Sequence, residues 1–244
     1  MTPSPTVSPT AHRAWELVLQ RIETDLLEGT LVPGDHLPPE RTLATDLGVG
    51  RSSVREAYRV LEVLGLIRTQ TGSGPQSGAI IIARPSGGMS TLMRYQVAAH
   101  GYPVADVVKT RLVLEAAVVS ELVSSDAPEL AEATQILDTM DSRTAELSPS
   151  DFLALDAAFH LALAVASGNT VIASMMAGLR SSVESYVLAG VPALPSWDDT
   201  AARLRQEHRD ILSAINAGNA SLAASAISHH ISGYYQEINF PSGQ

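Results

Sequence analysis

The spacing of apolar positions divides this 244-residue chain into two stretches of different character. In the first, short patterns alternate. Residues 14–28 put Trp15, Val18, Leu19, Ile22 and Leu26 on one face, the 3.6-residue period of an amphipathic helix, and Gly29 ends it. After a Pro/Gly turn at Val32–Asp35, the stretch from about Pro39 to Leu47 predicts a short helix with proline in its first turn. Gly48-Val49-Gly50 predicts a tight turn. Ser53 and Glu56 then predict a capping box that opens a third helix with Val54, Tyr58, Leu61 and Leu64 inward, closed by Gly65. Two β-prone runs, Leu66–Thr69 and Ala79–Ala83, flank a Gly-rich segment and predict a hairpin with a long tip. Helix, helix, tight turn, helix, hairpin is the order of a winged helix-turn-helix.

Residues 84–89, with Pro85, Gly87 and Gly88, predict a linker. Beyond them only helical patterns occur, in seven segments at roughly 90–100, 103–124, 127–145, 150–167, 170–189, 197–217 and 219–238. The breaks carry Pro103, Pro128, Pro149, Gly168, Pro192 and Gly218. The expected fold is therefore mainly α: a disordered Thr/Pro/Ser-rich tail (1–10), a winged helix-turn-helix (11–83), the linker (84–89), and an all-α bundle of about seven helices (90–240).

Composition agrees. Hydrophobic residues make up 45% and aromatics only 5%, so Ala, Leu, Val and Ile supply the core, as suits closely packed helices. The absence of cysteine excludes disulfides and thiolate metal sites, so a metal would need His and carboxylate ligands. The most apolar run, Leu153–Ala166, is expected to be too short to span a bilayer, and the N-terminus lacks the pattern of a signal peptide, so no membrane and a cytoplasmic setting are expected. The net charge of −10 argues against non-specific nucleic-acid binding, but it is unevenly spread. Residues 1–85 hold 8 Arg against 9 Asp and Glu, a net −1; the remaining 8 basic and 17 acidic residues give −9 to the rest.

The near-neutral part bears on DNA. Arg51, Ser52, Ser53 and Arg55 fall at the exposed start of the third helix, the end that recognition helices present to base edges and phosphates. Arginine can grip guanine bidentately, Arg41 on the preceding helix would face the same groove, and Gly72 and Ser73 at the wing tip are small enough to approach a phosphate. The segments Pro33–Ala44, Leu47–Ala57 and Leu61–Ile67, in order and at fixed spacing, resemble the GntR family of bacterial regulators. The resemblance implies a homodimer on palindromic double-stranded operator DNA, with Arg41, Arg51 and Arg55 as main contacts. Gly50 departs from the Ser or Thr usual there, and the wing tip is longer than common.

In the helical part, Asp156 and His160 are four apart and share a face with Phe152, Phe159 and Leu163, so they point inward. His208 and His230 lie about 10 and 12 residues on either side of the Gly218 break, level within a few ångströms at ~1.5 Å per residue. His230 continues the stripe Ala223, Ile227, Tyr234; His229 is the alternative, aligned instead with Ser225 and Gly233. One carboxylate and three imidazoles suit a borderline divalent metal, zinc first, with nickel or manganese as alternatives. Inward histidines that are simply hydrogen-bonded in the core, or an Asp156/His160 pair, remain the other reading.

Arg111–Ala116, Asp156 with His160, Ser167-Gly168-Asn169, and Glu207–Gly218 with His230 resemble the FCD ligand-binding domain of FadR-type regulators. That resemblance implies a seven-helix domain whose metal branch uses Asp156, His160, His208 and His230. Fatty-acyl-CoA-binding relatives lack this set. Arg111 either pairs with Glu115 or grips an effector carboxylate, and Asn169 either caps the next helix or lines the pocket. The expected protein is a DNA-binding regulator, a repressor rather than an activator, controlled by a small carboxylate metabolite. Two rivals are a metal-dependent hydrolase on the same ligands, and a regulator whose metal is structural or is itself the signal.

Overall fold

The computed structural model describes residues 9–70, 78–82, 88–99, 102–143 and 147–238. They form two compact units, Met1–Gly88 and Met89–Gln244.

In the first unit, α1 (Pro9–Leu27) starts earlier than its apolar stripe, within the expected tail, because proline's fixed φ and missing N–H suit a first turn. Gly29, at φ 73°, stops it. Helices α2 (Glu40–Leu47) and α3 (Arg51–Val63) flank a turn in which Gly48 takes φ 63°. The predicted capping box does not form. Extended Gly50 (φ −71°, ψ 146°) is the N-cap, which moves Ser53 inside the first turn, and no side chain caps the helix. Leu64 was expected inward but is exposed; it is the C-cap of α3, its N–H still bonded to Val60 C=O at 2.9 Å.

Strands β1 (Ile67–Gln70) and β2 (Gly78–Ile81) pair antiparallel with Ile67 opposite Ile81. The Pro/Gly turn adds a further edge unforeseen from the sequence: His36 bridges Ile80, and Leu37 N–H donates to Ala79 C=O at 2.7 Å. Val18, Ile22, Leu43, Val54, Leu61, Ile67 and Ile81 make the core of this unit. The wing tip, with Gly72 and Ser73, and most of the expected linker lie outside the described residues.

Helix α4 (Gly88–Ala98) opens the helical part, followed by α5 (Val104–Ser124), α6 (Ala131–Ser142), α7 (Pro149–Ala166), α8 (Thr170–Gly190), a 3-10 turn at Val191–Ala193, α9 (Trp197–Asn216) and α10 (Ala220–Glu237). Their starts are written in the chain. Ser148, Asn169, Ser196 and Asn219 each accept a backbone N–H from the first turn of the helix that follows. Helix α6 is shorter than expected because the chain around Pro128 stays non-helical until Leu130.

Helix α5 lies at the centre, packed against α7, α8, α9 and α10. Helix α4 crosses α8 at Gly178, where a Cβ would come within 3.1 Å of the Ser90 Cα. By length and composition α7 is apolar enough to cross a membrane, which corrects the expectation from the shorter run. Its Phe152, Leu153, Phe159, Ala162 and Leu163 are instead buried in the core of the second unit, and it carries Asp156 and His160 on the inner face. It is a core helix.

Candidate functional site

At the head of α3, Arg51 and Ser52 are exposed and Ser53 is half-buried; Arg41 on α2 and Arg55 one turn along α3 are exposed as well. With no side chain capping α3, its first N–H groups are open to an incoming acceptor. The arginines are not equivalent. Arg55 is engaged by Glu40, with Nη2 at 3.0 Å from Oε2, a pairing that raises its pKa. Among the described residues, Arg41 and Arg51 form no ion pair.

Inside the second unit, four side chains from three helices converge. The ligating atoms of Asp156 and His160 on α7, His208 on α9 and His230 on α10 all lie within 4.8 Å of one another. The three histidines are buried, with His208 wholly removed from solvent. His160 Nε2 and His230 Nε2 are 3.0 Å apart, while Asp156 Oδ1 is 3.1 Å from His208 Nε2 and 3.5 Å from His230 Nε2. His229, the alternative in the sequence, is exposed, with its Nε2 3.8 Å from Glu207.

The outward nitrogens decide what the inward ones can do. Glu115 on α5 places Oε2 at 2.5 Å from His160 Nδ1 while its Oε1 takes Arg111 Nε. Glu207 on α9 repeats the pattern: Oε2 lies 2.9 Å from His230 Nδ1, and Oε1 takes Arg203 Nη1 at 2.6 Å. Burial alone would push the Glu115 carboxyl up, but Arg111 and His160 hold it at about 2. Burial likewise opposes ionisation of Glu207, and its bonds to His230 and Arg203 outweigh it. An ionised carboxylate only accepts, so a carboxylate beside each Nδ1 favours the tautomer with its proton there and the Nε2 lone pair inward. His230 Nδ1 is hydrogen-bonded, whereas His160 Nδ1 lies off the line of a hydrogen bond to Glu115.

Two lone pairs 3.0 Å apart repel unless a proton or a cation lies between them. His230 is the ring that keeps a proton: burial lowers its pKa, but hydrogen bonds to Asp156 and Glu207 raise it above the ordinary value. Burial and the neighbouring His230 push His208 down to about 4, so its ring is neutral. His208 Nε2, near Asp156 but off the line of a hydrogen bond, is an orphaned buried atom, and so is its Nδ1. Unspent nitrogen donors around one ionised carboxylate fit a borderline divalent cation in number and chemistry. The same set would serve poorly as an ordinary polar cluster, which leaves few buried groups unsatisfied.

Two cavities flank this cluster and share Arg111. One is lined by Arg111, His160, Leu161, Met176, Leu179 and Arg180, among others. The second is lined by Arg111, Asp156, His230, Tyr234 and Tyr235 with apolar neighbours. Of the two readings the sequence left open for Arg111, the pair with Glu115 is present, and the same side chain also lines both cavities. Asn169 lines neither. It is the cap of α8, accepting from Ile172 N–H at 3.2 Å.

Comparison with known proteins bears on both units. Residues 16–75 match the family description "Bacterial regulatory proteins, gntR family", and residues 106–233, more than half the chain, match the "FCD domain". The chain belongs to the GntR family. Among curated relatives of this GntR regulator is the HTH-type transcriptional regulator LutR of Bacillus subtilis, 29% identical over 227 residues, covering 86% of this chain and 97% of that one. Another is the Glc operon transcriptional activator of Escherichia coli, 27% identical over 219 residues, covering 88% and 85%. A solved structure, Streptococcus agalactiae GntR, is 24% identical with a TM-score of 0.62, covers 91% of this chain and 99% of its own, and shares the fold. These relatives are transcription regulators, not enzymes, which sets the hydrolase rival aside.

Two functional carboxylates, Glu115 and Glu207, were not picked out as partners of the histidines. The available signal was a weak one: Arg111/Glu115 and Arg203/Glu207 are both Arg–Glu pairs at i, i+4, but Arg180/Glu184 has the same spacing and, among the described residues, engages no histidine.

Proposed function

We propose that this transcription regulator binds operator DNA as a homodimer through Arg41, Arg51, Ser52, Ser53 and Arg55, with Gly72 and Ser73 as further contacts. Operator affinity is set by a small carboxylate held near a divalent metal in the FCD domain. The observation that carries this reading is the convergence of Asp156, His160, His208 and His230 beside two cavities that share Arg111. The metal, zinc ahead of nickel or manganese, would supply a Lewis-acidic position for an effector carboxylate. Asp156 and the three Nε2 atoms hold it, Glu115 and Glu207 keep two of the rings in the ligating tautomer, and Arg111 offers the guanidinium that a carboxylate recognises.

Switching requires that the effector bind the DNA-competent and DNA-incompetent dimers differently. Repression is the reading preferred here, and the activator among the relatives makes activation the alternative. The protein acts in the cytoplasm, where its operator is. The test is isothermal titration of the zinc-loaded protein with L-lactate, glycolate and citrate, repeated after chelation. Binding that needs the metal supports the reading; a carboxylate bound equally well by the stripped protein, or none bound at all, contradicts it. The reading in which the metal is purely structural predicts instead that stripping unfolds the FCD domain and that no acid binds.

A further inference from the structure

We propose that Arg203 and Glu207 are positioning residues for the metal, orienting His230 through a chain of charges that runs along the α9–α10 seam. This rests on the metal reading above. Thr200, Arg203 and Glu207 lie three and four residues apart on one face of α9, and His230 and Glu237 lie two turns apart on α10. Arg203 Nη1 donates to Glu207 Oε1 at 2.6 Å, and Arg203 Nη2 donates to Glu237, which also accepts from Thr200 Oγ1 at 2.7 Å. Glu207 passes the constraint inward through its other oxygen, 2.9 Å from His230 Nδ1. The seam is thereby tied at both ends of the chain, and His230 can turn only its Nε2 toward Asp156.

Arg203 has a second effect. The exposed His229 has its Nε2 3.8 Å from Glu207 Oε1, the oxygen that Arg203 occupies. Without the guanidinium, Glu207 is free to swing outward to His229 and leave His230 unheld. His208 shows the contrast, since its Nδ1 has no hydrogen-bond partner and its ring is set by packing on Phe159, with centroids 4.4 Å apart. Arg203 also lines neither cavity, whereas Arg111 lines both, so only Arg203 separates metal positioning from effector binding.

The test is Zn(II) affinity of the metal-stripped full chain, measured by competition with a chromophoric chelator. Outer partners of metal-bound histidines are worth about 10- to 100-fold in affinity. Glu207→Ala should lose that much, Arg203→Ala a smaller part of it, and Arg203→Lys should recover most of the Arg203→Ala loss by keeping the charge. In the nuclear magnetic resonance spectrum, the His230 Nδ1 proton should be downfield and slow to exchange in the wild type and should lose both properties in Glu207→Ala. Equal Zn(II) affinity in wild type and Glu207→Ala overturns the positioning role alone. No Zn(II) uptake by the wild type overturns the metal reading and this role with it. Should Glu207→Ala fail to fold, the more exposed Arg203 pair carries the test, and equal affinity in Arg203→Ala and wild type overturns the proposal.

Discussion

The chemistry of the helical unit is set by single atoms: Nε2 of His160 and Nε2 of His230 stand 3.0 Å apart, each with a carboxylate beside its other nitrogen. In the metal-free protein a proton on His230 separates them, and a divalent metal must displace it. Because the His230 pKa lies above the ordinary histidine value, that proton is still largely present just above pH 6.5. Metal affinity should therefore rise with pH through and above this range and fall as pH drops, and metal uptake near neutral pH should release protons. Calorimetry in buffers of different ionisation enthalpy measures the release; enthalpies independent of buffer would contradict it. His208→Ala or Asp156→Ala should reduce metal, measured by mass spectrometry after dialysis, from about one ion per chain to a small fraction of that.

Arg111 carries a second consequence at the same scale. It is buried with Glu115, so Arg111→Ala leaves a buried carboxylate without its cation and should cost about 3–5 kcal/mol in chemical denaturation. Replacing both by apolar residues of similar size should restore much of that, at the expense of effector binding.

Among the elements, how much was legible depends on what fixes each one. The start of α8 was legible because the cap at Asn169 is a property of a few adjacent residues. The start of α3 was misread for the complementary reason: Ser53 and Glu56 have the spacing of a capping box, but Gly50, three residues before Ser53, already turns the chain into the helix. The inner ring of the site was legible from i, i+4 spacing and from counting outward from Gly218. Glu207 was not, because its reach to His230 is decided by how α9 packs on α10, and no spacing along one helix contains that. Helix packing also governs Gly178, whose missing side chain lets α4 lie on α8. Gly178→Leu should displace α4 and cost about 1–3 kcal/mol, visible as faster amide exchange around Val97; unchanged exchange and stability would contradict so tight a crossing.

Taken whole, the molecule joins a nearly neutral DNA-reading unit to an acidic sensing unit, and the net −9 beyond residue 85 keeps non-specific attraction to DNA low. On the proposed function, specific binding then depends on a few arginines. Arg51, free of ion pairs among the described residues, should lose about 1–3 kcal/mol of operator affinity as Arg51→Ala and relax base preference beside it. Arg55 must first give up Glu40, so Glu40→Gln should tighten operator binding; a weaker complex would assign Arg55 to holding α2 on α3 instead.

The proposed function requires coupling between the operator and the cavities beside Asp156, His160 and His230. The measurement is fluorescence anisotropy of the zinc-loaded full chain on its own upstream DNA at fixed salt, with and without a saturating small carboxylate identified by the calorimetric screen, in wild type and His208→Ala. The account predicts a shift in operator affinity of about 5- to 150-fold in the wild type and none in His208→Ala, whose effector-free operator binding is unchanged. A carboxylate that binds at the metal yet leaves operator affinity unmoved, or one that shifts wild type and His208→Ala alike, would contradict it.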